Sequence, residues 1–531
     1  MFKVGYSKGT DCTIIFLGSL LLFTFGLAHE EVVGFDSRLY AFALEMWRHG
    51  FGWFPRTFQQ YYPDYPVTSS WMIYLLANLF GTLNKLVAVL PSAMAASLTL
   101  VVTYCIGALH NRKWALSAVF LLILTLEFTS EARAIAYDQY ITLVTACCFY
   151  LVYSGKLLSA NRRIYLLFPL FVLGFAFRGP IGLVIPTGVV CVFYLLEKNF
   201  KNFVIVGVLS ALLLVICSAI FLTIAYHTGG MSFLQEVLHT EMLNHIRDLK
   251  SNPVYFYFIE SVGAYAVTYP LMVLMLPGIL GVFSKKIGQM EKQFLLYLLG
   301  WIFIILIGLS IPDDKKIRYI LPVAPAMALF CAYLFANGIE NLYLRSIRRC
   351  FYWVCFYFPA ICLFALCFFH LRLFFDYLNF PSLVGALVFM QVMMLVFYLL
   401  LREKIIGALF LTMLTFGIVY IAVVEPTSIT LNSARDIVLK VEDLRAREKV
   451  PVVFYREGWD ALAVKYFINM PHEEKLFFIA TPEELMAYHQ PAIFIASVEY
   501  VDALPKEAKS HFKPIMSGVI GHDKVVVFRR S

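Results

Sequence analysis

The sequence predicts an all-α polytopic membrane domain followed by a small α/β domain, and three observations support this fold class. The 531 residues are 60% hydrophobic and only 15% charged, with a mean hydropathy of +0.76, whereas about a quarter of the residues in a soluble domain are charged. The apolar runs are continuous, which is typical of spanning helices and not of the alternating strands of a membrane barrel. After residue 424 the composition becomes that of a soluble domain.

A spanning helix needs about 20 mostly apolar residues, because the bilayer core is about 30 Å thick and a helix rises about 1.5 Å per residue. We count thirteen such runs, and an odd number predicts that the two chain ends lie on opposite sides. A shorter apolar stretch, 67–81, is predicted to be an interfacial helix. The thirteen runs centre on residues 12–28, 86–108, 114–128, 139–154, 164–177, 180–197, 202–226, 260–283, 293–310, 319–338, 351–370, 382–401 and 405–424.

Basic residues cluster in alternate short loops, as in Arg112-Lys113, Arg162-Arg163 and Arg348-Arg349. The positive-inside rule places these loops and the N-terminus in the cytoplasm. The formal net charge of +8 is therefore mainly a topology signal and does not indicate nucleic-acid binding. The first run is interpreted as a retained span, because no clean cleavage site follows it. The eleven cysteines lie in or beside the runs, without metal-ligand spacing, and are interpreted as buried apolar side chains.

The domain organisation follows from this pattern. Residues 1–424 are predicted to form the membrane domain, with a long first outer loop at 29–85, and residues 425–531 a periplasmic α/β domain. Its predicted strands lie at 450–455, 476–479, 492–496 and 525–528, and its predicted helices at 461–468 and 482–488.

The first outer loop carries the first group of candidate site residues. Loops of more than about 15 residues are usually functional or disordered, and this one has an amphipathic, aromatic-rich segment typical of a helix at the membrane surface. Asp36 and Arg38 open that segment, and Tyr62-Pro63-Asp64-Tyr65-Pro66 follows later. Asp36 lies close to the predicted membrane boundary, which favours a functional loop over a merely structural one.

Three further outer segments are dense in polar residues. Asp138 opens the fourth predicted span, where an N-cap explains it equally well. Arg178 lies between two nearly continuous runs, and the loop before residue 319 contributes Lys315, Lys316 and Arg318 next to Tyr319. Cations on this side suit a phosphate group, although each alone is also explained by snorkelling to lipid headgroups.

The segment between the seventh and eighth runs contains Glu241 and His245. Their spacing does not match the His-Glu-x-x-His zinc motif. An amphipathic surface helix is the favoured interpretation, and a substrate-contact role stays open. No metal site is predicted.

Taken in chain order, these segments resemble the GT-C superfamily of polyprenyl-phosphate-sugar-dependent glycosyltransferases. The likeness covers roughly residues 10–340 and is strongest to the branch of bacterial aminoarabinose (lipid A) transferases and protein O-mannosyltransferases. It rests on the Asp early in the first loop, the Tyr62–Pro66 element, the second-loop Asp, and the late basic-Tyr-Ile-Leu-Pro run. That branch has Asp-Glu-x-Arg-Tyr where this chain has Asp36-Ser37-Arg38-Leu39-Tyr40, and a Lys where Tyr65 stands.

The resemblance implies roles for named residues. Asp36, Asp138 and Asp64 take the catalytic positions, and Arg178 matches a basic residue that contacts the lipid phosphate. The remaining candidates for binding the donor phosphate or substrate are Arg38, Tyr62, Tyr65, Lys315, Lys316, Arg318 and Tyr319, with Glu241 and His245 added from the residue pattern alone.

The function implied is transfer of a sugar, with inversion, from polyprenyl (undecaprenyl) phosphate. The acceptor would be lipid A of lipopolysaccharide, another glycolipid or a protein, on the periplasmic side of a bacterial inner membrane. No cofactor is certain, and a divalent metal stays open. The rival readings are a transporter or flippase, a lipid-to-lipid ligase or polymerase of surface polysaccharide, and a membrane protein that only binds. A transporter is disfavoured because its ionisable pairs usually lie near the midplane and its halves often repeat, and neither pattern is visible here.

Overall fold

The computed structural model of the chain describes residues 7–63, 66–159, 161–240, 252–283, 288–336, 341–373, 380–400, 404–456 and 462–530. The chain divides into two compact units. The first, which we call the membrane unit, comprises Met1–Phe25, Pro63–Ser69 and Val89–Val423. The second, which we call the α/β unit, comprises Gly26–Tyr62, Ser70–Ala88 and Val424–Ser531.

The structure is mostly helical. Up to the last apolar run the helices are α1 (Ser7–Thr24), α2 (Asp36–His49), α3 (Thr68–Phe80), α4 (Lys85–Gly107), α5 (Arg112–Ile123), α6 (Leu126–Ala132), α7 (Tyr137–Leu157), α8 (Leu167–Leu196), α9 (Phe200–Leu238), α10 (Phe256–Ile259), α11 (Ser261–Ala264), α12 (Thr268–Phe283), α13 (Gln289–Ser310), α14 (Ala324–Ala336), α15 (Leu342–Leu373), α16 (Phe380–Leu400) and α17 (Lys404–Val419). Three 3₁₀ helices, at Leu27–His29, Asn161–Leu166 and Ile317–Val323, and a π-helix at Tyr420–Val424 connect them.

The described part of the chain contains ten helices long and apolar enough to cross a membrane, or eleven when α5 and α6 count as one span. The chain is therefore a multi-pass membrane protein, and the predicted fold class is confirmed. Each of the thirteen predicted runs falls mainly on helical residues. The run 114–128 is not straight, because α5 and α6 meet at an angle of 72°. Thr125 is extended there, and its hydroxyl donates to the Leu121 carbonyl oxygen at 3.0 Å.

The two predicted runs 164–177 and 180–197 are the arms of a helical hairpin within α8. Non-helical dihedral angles occur at Arg178 and at Gly179, whose φ is +61°. Gly-Pro at a helix boundary is typical of one helix ending and another beginning, since Gly adopts the left-handed region and Pro suits a first turn. The chain reverses its direction there, and the closeness of Gly174 to Gly182 is the evidence. A Cβ added to Gly174 would collide with the Gly182 carbonyl oxygen. In one straight helix those two residues would be about 12 Å apart.

Both hairpin arms pack along α7. The Phe177 ring stacks on Tyr140 with the centroids 4.3 Å apart, and the Phe193 ring lies 6.2 Å from Phe149. As the chain leaves the tip of the hairpin, the second arm thus follows α7 in the same direction. The tip of the hairpin, with Arg178, is held beside the first turn of α7.

Three large buried side chains in the membrane unit donate hydrogen bonds to main-chain carbonyl oxygens. Arg133 is 2% exposed and donates to the Leu22 and Phe25 carbonyl oxygens at 2.8 and 2.9 Å, which caps the C-terminal end of α1. The indole of Trp114 donates to the Leu329 carbonyl oxygen at 2.7 Å. The indole of Trp301 donates to the Pro322 carbonyl oxygen at 3.0 Å. A buried indole N–H needs such a partner, so these contacts fix α5 against α14 and the third 3₁₀ helix against α13.

A short antiparallel pair of strands, β1 (Arg56–Thr57) and β2 (Gln60–Tyr61), lies in the first loop. The other strands of the α/β unit are β3 (Val452–Tyr455), β4 (Phe477–Ile479), β5 (Ile493–Ser497), β6 (Phe512–Ile520) and β7 (Asp523–Arg530). They form one five-stranded sheet of order β4-β3-β5-β7-β6, in which β4, β3 and β5 are parallel to one another, β7 is antiparallel to β5, and β6 is antiparallel to β7.

The helices of the C-terminal part of the α/β unit are α18 (Glu425–Asn432), α19 (Arg435–Glu448), α20 (Leu462–Ile468), α21 (Pro482–Ala487), α22 (Val498–Asp502) and α23 (Lys506–Ser510).

Alternate strand residues build a core on each face of the sheet. Phe454 and Ile495 face α19, α20 and the first-loop helix α2, which contributes Ala41 and Leu44. Phe494 and its neighbours face the opposite layer with α21 and α23. The four predicted strands and two predicted helices are all present, and α2 adds a helix from residues 400 positions earlier in the chain.

The first loop is also fastened by a buried charge network. Lys85 donates to Glu30 Oε2 at 2.7 Å and to Glu425 Oε1 at 3.2 Å, and its side chain is 5% exposed. Removing one member of such a buried network usually destabilises strongly, because the other charges lose their partner.

The close approach of the α8 arms yields a stability prediction. Gly174→Ala places a methyl group against the Gly182 carbonyl oxygen and should lower the stability by about 1–3 kcal/mol, as overpacking does. The matched control is Gly207→Ala, in which the new Cβ meets no atom within 4 Å. Thermal unfolding of the full chain in detergent, followed by intrinsic fluorescence, should give a lower midpoint for the first variant only. Equal midpoints for the two variants would contradict the hairpin packing.

Candidate functional site

The start of α7 carries the acidic centre of the membrane unit. The N-cap of this helix is Ala136, and its N–H donates to the Ser92 hydroxyl at 3.0 Å, so the capping explanation for Asp138 does not apply. Asp138 is the second helical residue and is 5% exposed. A carboxylate is favourable in the first turn of a helix, but a buried one also needs charged or hydrogen-bonding partners.

Two arginines from distant parts of the chain supply those partners. Arg178 Nε lies 3.4 Å from Asp138 Oδ1, and Arg318 Nε lies 3.6 Å from Oδ2. The three side chains are only 7%, 14% and 7% exposed for Arg178, Arg318 and Asp138 respectively. Both distances exceed a direct hydrogen bond of about 2.7–3.2 Å, so these are ion pairs around one carboxylate.

The Tyr319 ring is the second element of the site. The guanidinium carbon of Arg178 lies 5.0 Å from its centroid, that of Arg318 5.9 Å, and the Lys316 ammonium 5.6 Å. Cations within about 6 Å of an aromatic face are attracted to it. The Tyr319 hydroxyl donates to Asp314 Oδ2 at 3.1 Å, and Lys316 Nζ lies 3.6 Å from that same oxygen. Tyr319 thus gathers three cations and is itself oriented by a carboxylate.

Lys315 has a different environment from the other basic residues of its loop. It is 4% exposed, and its ammonium donates to the Asn252 carbonyl oxygen at 2.9 Å, while the Asn252 amide donates back to the Lys315 carbonyl oxygen at 3.2 Å. This reciprocal pair fastens the loop to the segment before α10. The side chain of Lys316, by contrast, is 46% exposed.

Sequence reasoning missed two acidic contributors to this cluster. Glu127, in the first turn of α6, interacts electrostatically with Arg318 and Asp138, and Asp314 holds Tyr319 as described. Glu127 is brought to the site by the bend between α5 and α6, which no residue pattern announces. Asp314 belongs to the charged loop that the sequence did single out.

Three of the first-loop candidates, Asp36, Arg38 and Tyr62, lie in the α/β unit. Asp36 is the first residue of α2. The Arg38 guanidinium carbon lies 5.7 Å from the centroids of both Phe35 and Tyr62, and the Tyr62 ring is 5.1 Å from Phe42. Arg38 and Tyr62 are therefore brought together. Asp64, Tyr65, Glu241 and His245 lie outside the described residues.

An acid–histidine cluster in the α/β unit was not predicted. His49 Nε2 lies 2.7 Å from Glu473 Oε1 and 3.6 Å from Glu45 Oε2. The carboxylate of Glu45 is 1% exposed and accepts the Gln59 N–H at 3.2 Å. Burial raises the pKa of Glu45 above its usual value of 4.5. The cluster joins α2 to the segment before β4.

The cluster at the start of α7 has the chemistry of an anion site. Planar guanidinium groups match phosphate oxygens in pairs, and a fixed carboxylate keeps the arginines oriented without a ligand. Among the described residues, no group of three or more His, Cys, Asp or Glu side chains is arranged to hold a metal ion.

Comparison with known proteins identifies a structure with the same fold and several related sequences. The crystal structure of ArnT from Cupriavidus metallidurans bound to undecaprenyl phosphate superposes with a TM-score of 0.70 at 16% identity, covering 98% of each chain. The profile of the family described as dolichyl-phosphate-mannose-protein mannosyltransferase matches residues 64–227. The fold is therefore the one found in this ArnT structure.

In sequence, the chain resembles the aminoarabinose-transferase branch. It is 25% identical over 291 residues to the undecaprenyl phosphate-alpha-4-amino-4-deoxy-L-arabinose arabinosyl transferase of Aeromonas hydrophila, a match that covers 53% of this chain and 51% of that protein. It is 26% identical over 291 residues to an uncharacterised protein of Aquifex aeolicus, covering 54% of this chain and 56% of that protein. The chain thus spans about half the length of these two relatives. The expected resemblance is confirmed.

The raised pKa of Glu45 gives a pH-dependent prediction. A carboxyl group whose pKa is higher in the folded than in the unfolded state binds more protons when folded, so its ionisation opposes folding and stability falls as the pH rises above about 4.5. Glu45→Gln keeps the acceptor for the Gln59 N–H and removes this ionisation. The unfolding midpoint of the full chain in detergent should therefore fall less between about pH 4 and pH 7 in this variant than in the parent.

The control for this measurement is Glu483→Gln, since Glu483 is exposed on α21. It should keep the pH dependence of the parent. If Glu45→Gln also keeps the pH dependence of the parent, then the ionisation of Glu45 does not contribute to the pH dependence of stability.

Proposed function

We propose that this chain is a membrane glycosyltransferase that transfers a sugar from a polyprenyl phosphate donor to lipid A or a related glycolipid, on the periplasmic side of a bacterial inner membrane. The observation that supports it most is the convergence of Arg178 and Arg318 on Asp138 at the end of a bundle of apolar helices. The GT-C fold and the name of the Aeromonas relative agree with this activity.

The leaving group explains why two arginines are needed. When the sugar departs, positive charge builds at the sugar carbon and negative charge on the lipid phosphate. Arg178 and Arg318 stabilise that phosphate, and because Asp138 and Tyr319 already hold them, little reorganisation is needed during the reaction. Asp138 is accordingly a positioning residue for the cations. The apolar helices suit the polyprenyl chain.

The acceptor needs a different group. Asp36 acts as general base on an acceptor hydroxyl, or orients an acceptor phosphate that already carries its charge. Asp64 positions the donor or the acceptor. Attack from the face opposite the departing phosphate inverts the sugar carbon.

A protein acceptor is the second candidate. The family profile that matches residues 64–227 is described by a protein mannosyltransferase activity, which favours a protein as acceptor. The two candidate functions share the donor site. They differ in the acceptor and therefore in the product that accumulates.

The function is tested by mass spectrometry of lipid A, total glycolipids and surface proteins. Cells with the intact chain are compared with cells that lack it and with cells that carry Asp36→Asn or Asp138→Asn. Both variants should lose a sugar-sized mass from the same acceptor, whose identity separates a glycolipid from a protein product. The control Asp502→Asn changes an exposed carboxylate and should keep the modification. Normal modification by Asp36→Asn would disprove its role as base, and no lost mass in any acceptor would reject the transferase.

The donor phosphate contact has its own test. Arg178→Gln removes one cation from the developing charge and should lower the rate by about 10²–10³-fold, as the loss of one preorganised donor does elsewhere. Arg178→Lys keeps the charge but not the planar fork and should recover only part of the rate. Turnover of the purified protein with a synthetic polyprenyl phosphate sugar and the acceptor identified by mass spectrometry measures both. Full activity of Arg178→Gln would remove the arginine from the donor site.

A further inference from the structure

A cationic cavity lies at the other end of α7 from Asp138. It has a volume of about 630 Å³ and is formed by the last turns of α7, the 3₁₀ helix Asn161–Leu166, the end of α8 and the start of α9. Asp138 and Lys156 are 18 residues apart on one helix, so the cavity is about 27 Å from the site described above. The volume is within the range of roughly 300–1,000 Å³ that is typical of ligand pockets.

Charged groups from three elements converge on this cavity. Lys156, Arg163 and Lys201 line it together with one carboxylate, Glu197. Lys156 Nζ donates to Glu197 Oε1 and to the Tyr297 hydroxyl, both at 2.7 Å, so that carboxylate is already engaged by one of the three cations. The cavity therefore keeps a net positive charge. Arg163 lines the cavity and also donates a hydrogen bond to the Ser154 hydroxyl at 2.5 Å.

The apolar part of the cavity continues along α9. Asn202, Ile205 and Leu209 all line it, and their spacing places them on one face of that helix. Asn202 lies in the first turn of α9, and the two aliphatic residues lie one and two turns further along the helix. Ile205 and Leu209 are 38% and 39% exposed, and only 17% of the apolar window of α9 is buried within the protein. The wall of the cavity thus passes directly into a helix surface that suits lipid chains.

We propose that this cavity binds the headgroup of an anionic phospholipid. Its phosphodiester lies against Arg163 and Lys201, and its acyl chains follow Ile205 and Leu209. Basic pockets between spanning helices are the usual sites for anionic headgroups. Simple snorkelling would send each cation separately towards the bilayer surface, whereas here all three cations line one cavity. The site does not depend on the proposed transferase activity, because it shares no residue with the cluster around Asp138.

The test uses the delipidated full chain in detergent with phosphatidylglycerol as the probe, and native mass spectrometry counts the bound lipid. A single tightly held molecule is expected, and phosphatidylcholine with the same acyl chains should bind much more weakly. The double variant Arg163→Gln/Lys201→Gln should weaken phosphatidylglycerol binding roughly 30-fold, since each basic residue near a membrane surface contributes about fivefold. Lys201→Gln alone changes an exposed residue, cannot disturb the core, and should weaken binding about fivefold.

The matched control is Arg349→Gln, an exposed arginine on α15 that does not line the cavity, and it should bind the probe like the parent. Equal affinity in Lys201→Gln and in Arg349→Gln would overturn the proposal, as would equal binding of the two phospholipids. Millimolar inorganic phosphate should not displace the lipid. Displacement would assign the cavity to a free phosphate and reject the phospholipid.

Discussion

The close contact between the two arms of α8 is the constraint on which the site in the membrane unit depends. Two glycines face one another where any side chain would separate the helices, and this contact lets the chain turn back at Arg178. The turn places a guanidinium beside a carboxylate that α7 has already buried. A buried ion pair seldom adds much net stability, but breaking it by removing one partner is costly. The hairpin and the ion pair therefore support each other.

The second arginine reaches the same carboxylate by a different route. Arg318 belongs to a 3₁₀ helix whose main chain is held by the Trp301 indole at Pro322, and the adjoining loop is fastened by Lys315 and Asn252. These contacts are structural, yet they decide where the guanidinium lies. A rigid supporting layer of this kind is what a charged site needs to act without reorganisation. Residues outside the charged cluster thus decide where Arg318 lies relative to Asp138.

The sequence carried most of the fold, because long apolar runs and short alternating strands are local signals. The Arg178-Gly179-Pro180 break was also local, but the facing of Gly174 and Gly182 depends on a contact between two helices. Strand β6 was not predicted, for a different reason. Pro514, Gly518 and the irregularity between Pro514 and Met516 obscure its alternation, and an edge strand tolerates all three. The arginines were recognised as a group, but their common partner was not, since residues 138, 178 and 318 are related only by the fold.

The two ends of α7 use similar side chains for different purposes. Around Asp138 the arginines are almost completely buried and already paired, so solvent ions screen them little. Around Lys156 the cavity is open to solvent, one cation is paired and Lys201 is exposed. The two sets are about 27 Å apart along the helix. Only the buried set is rigid enough to stabilise a charge that develops during a reaction.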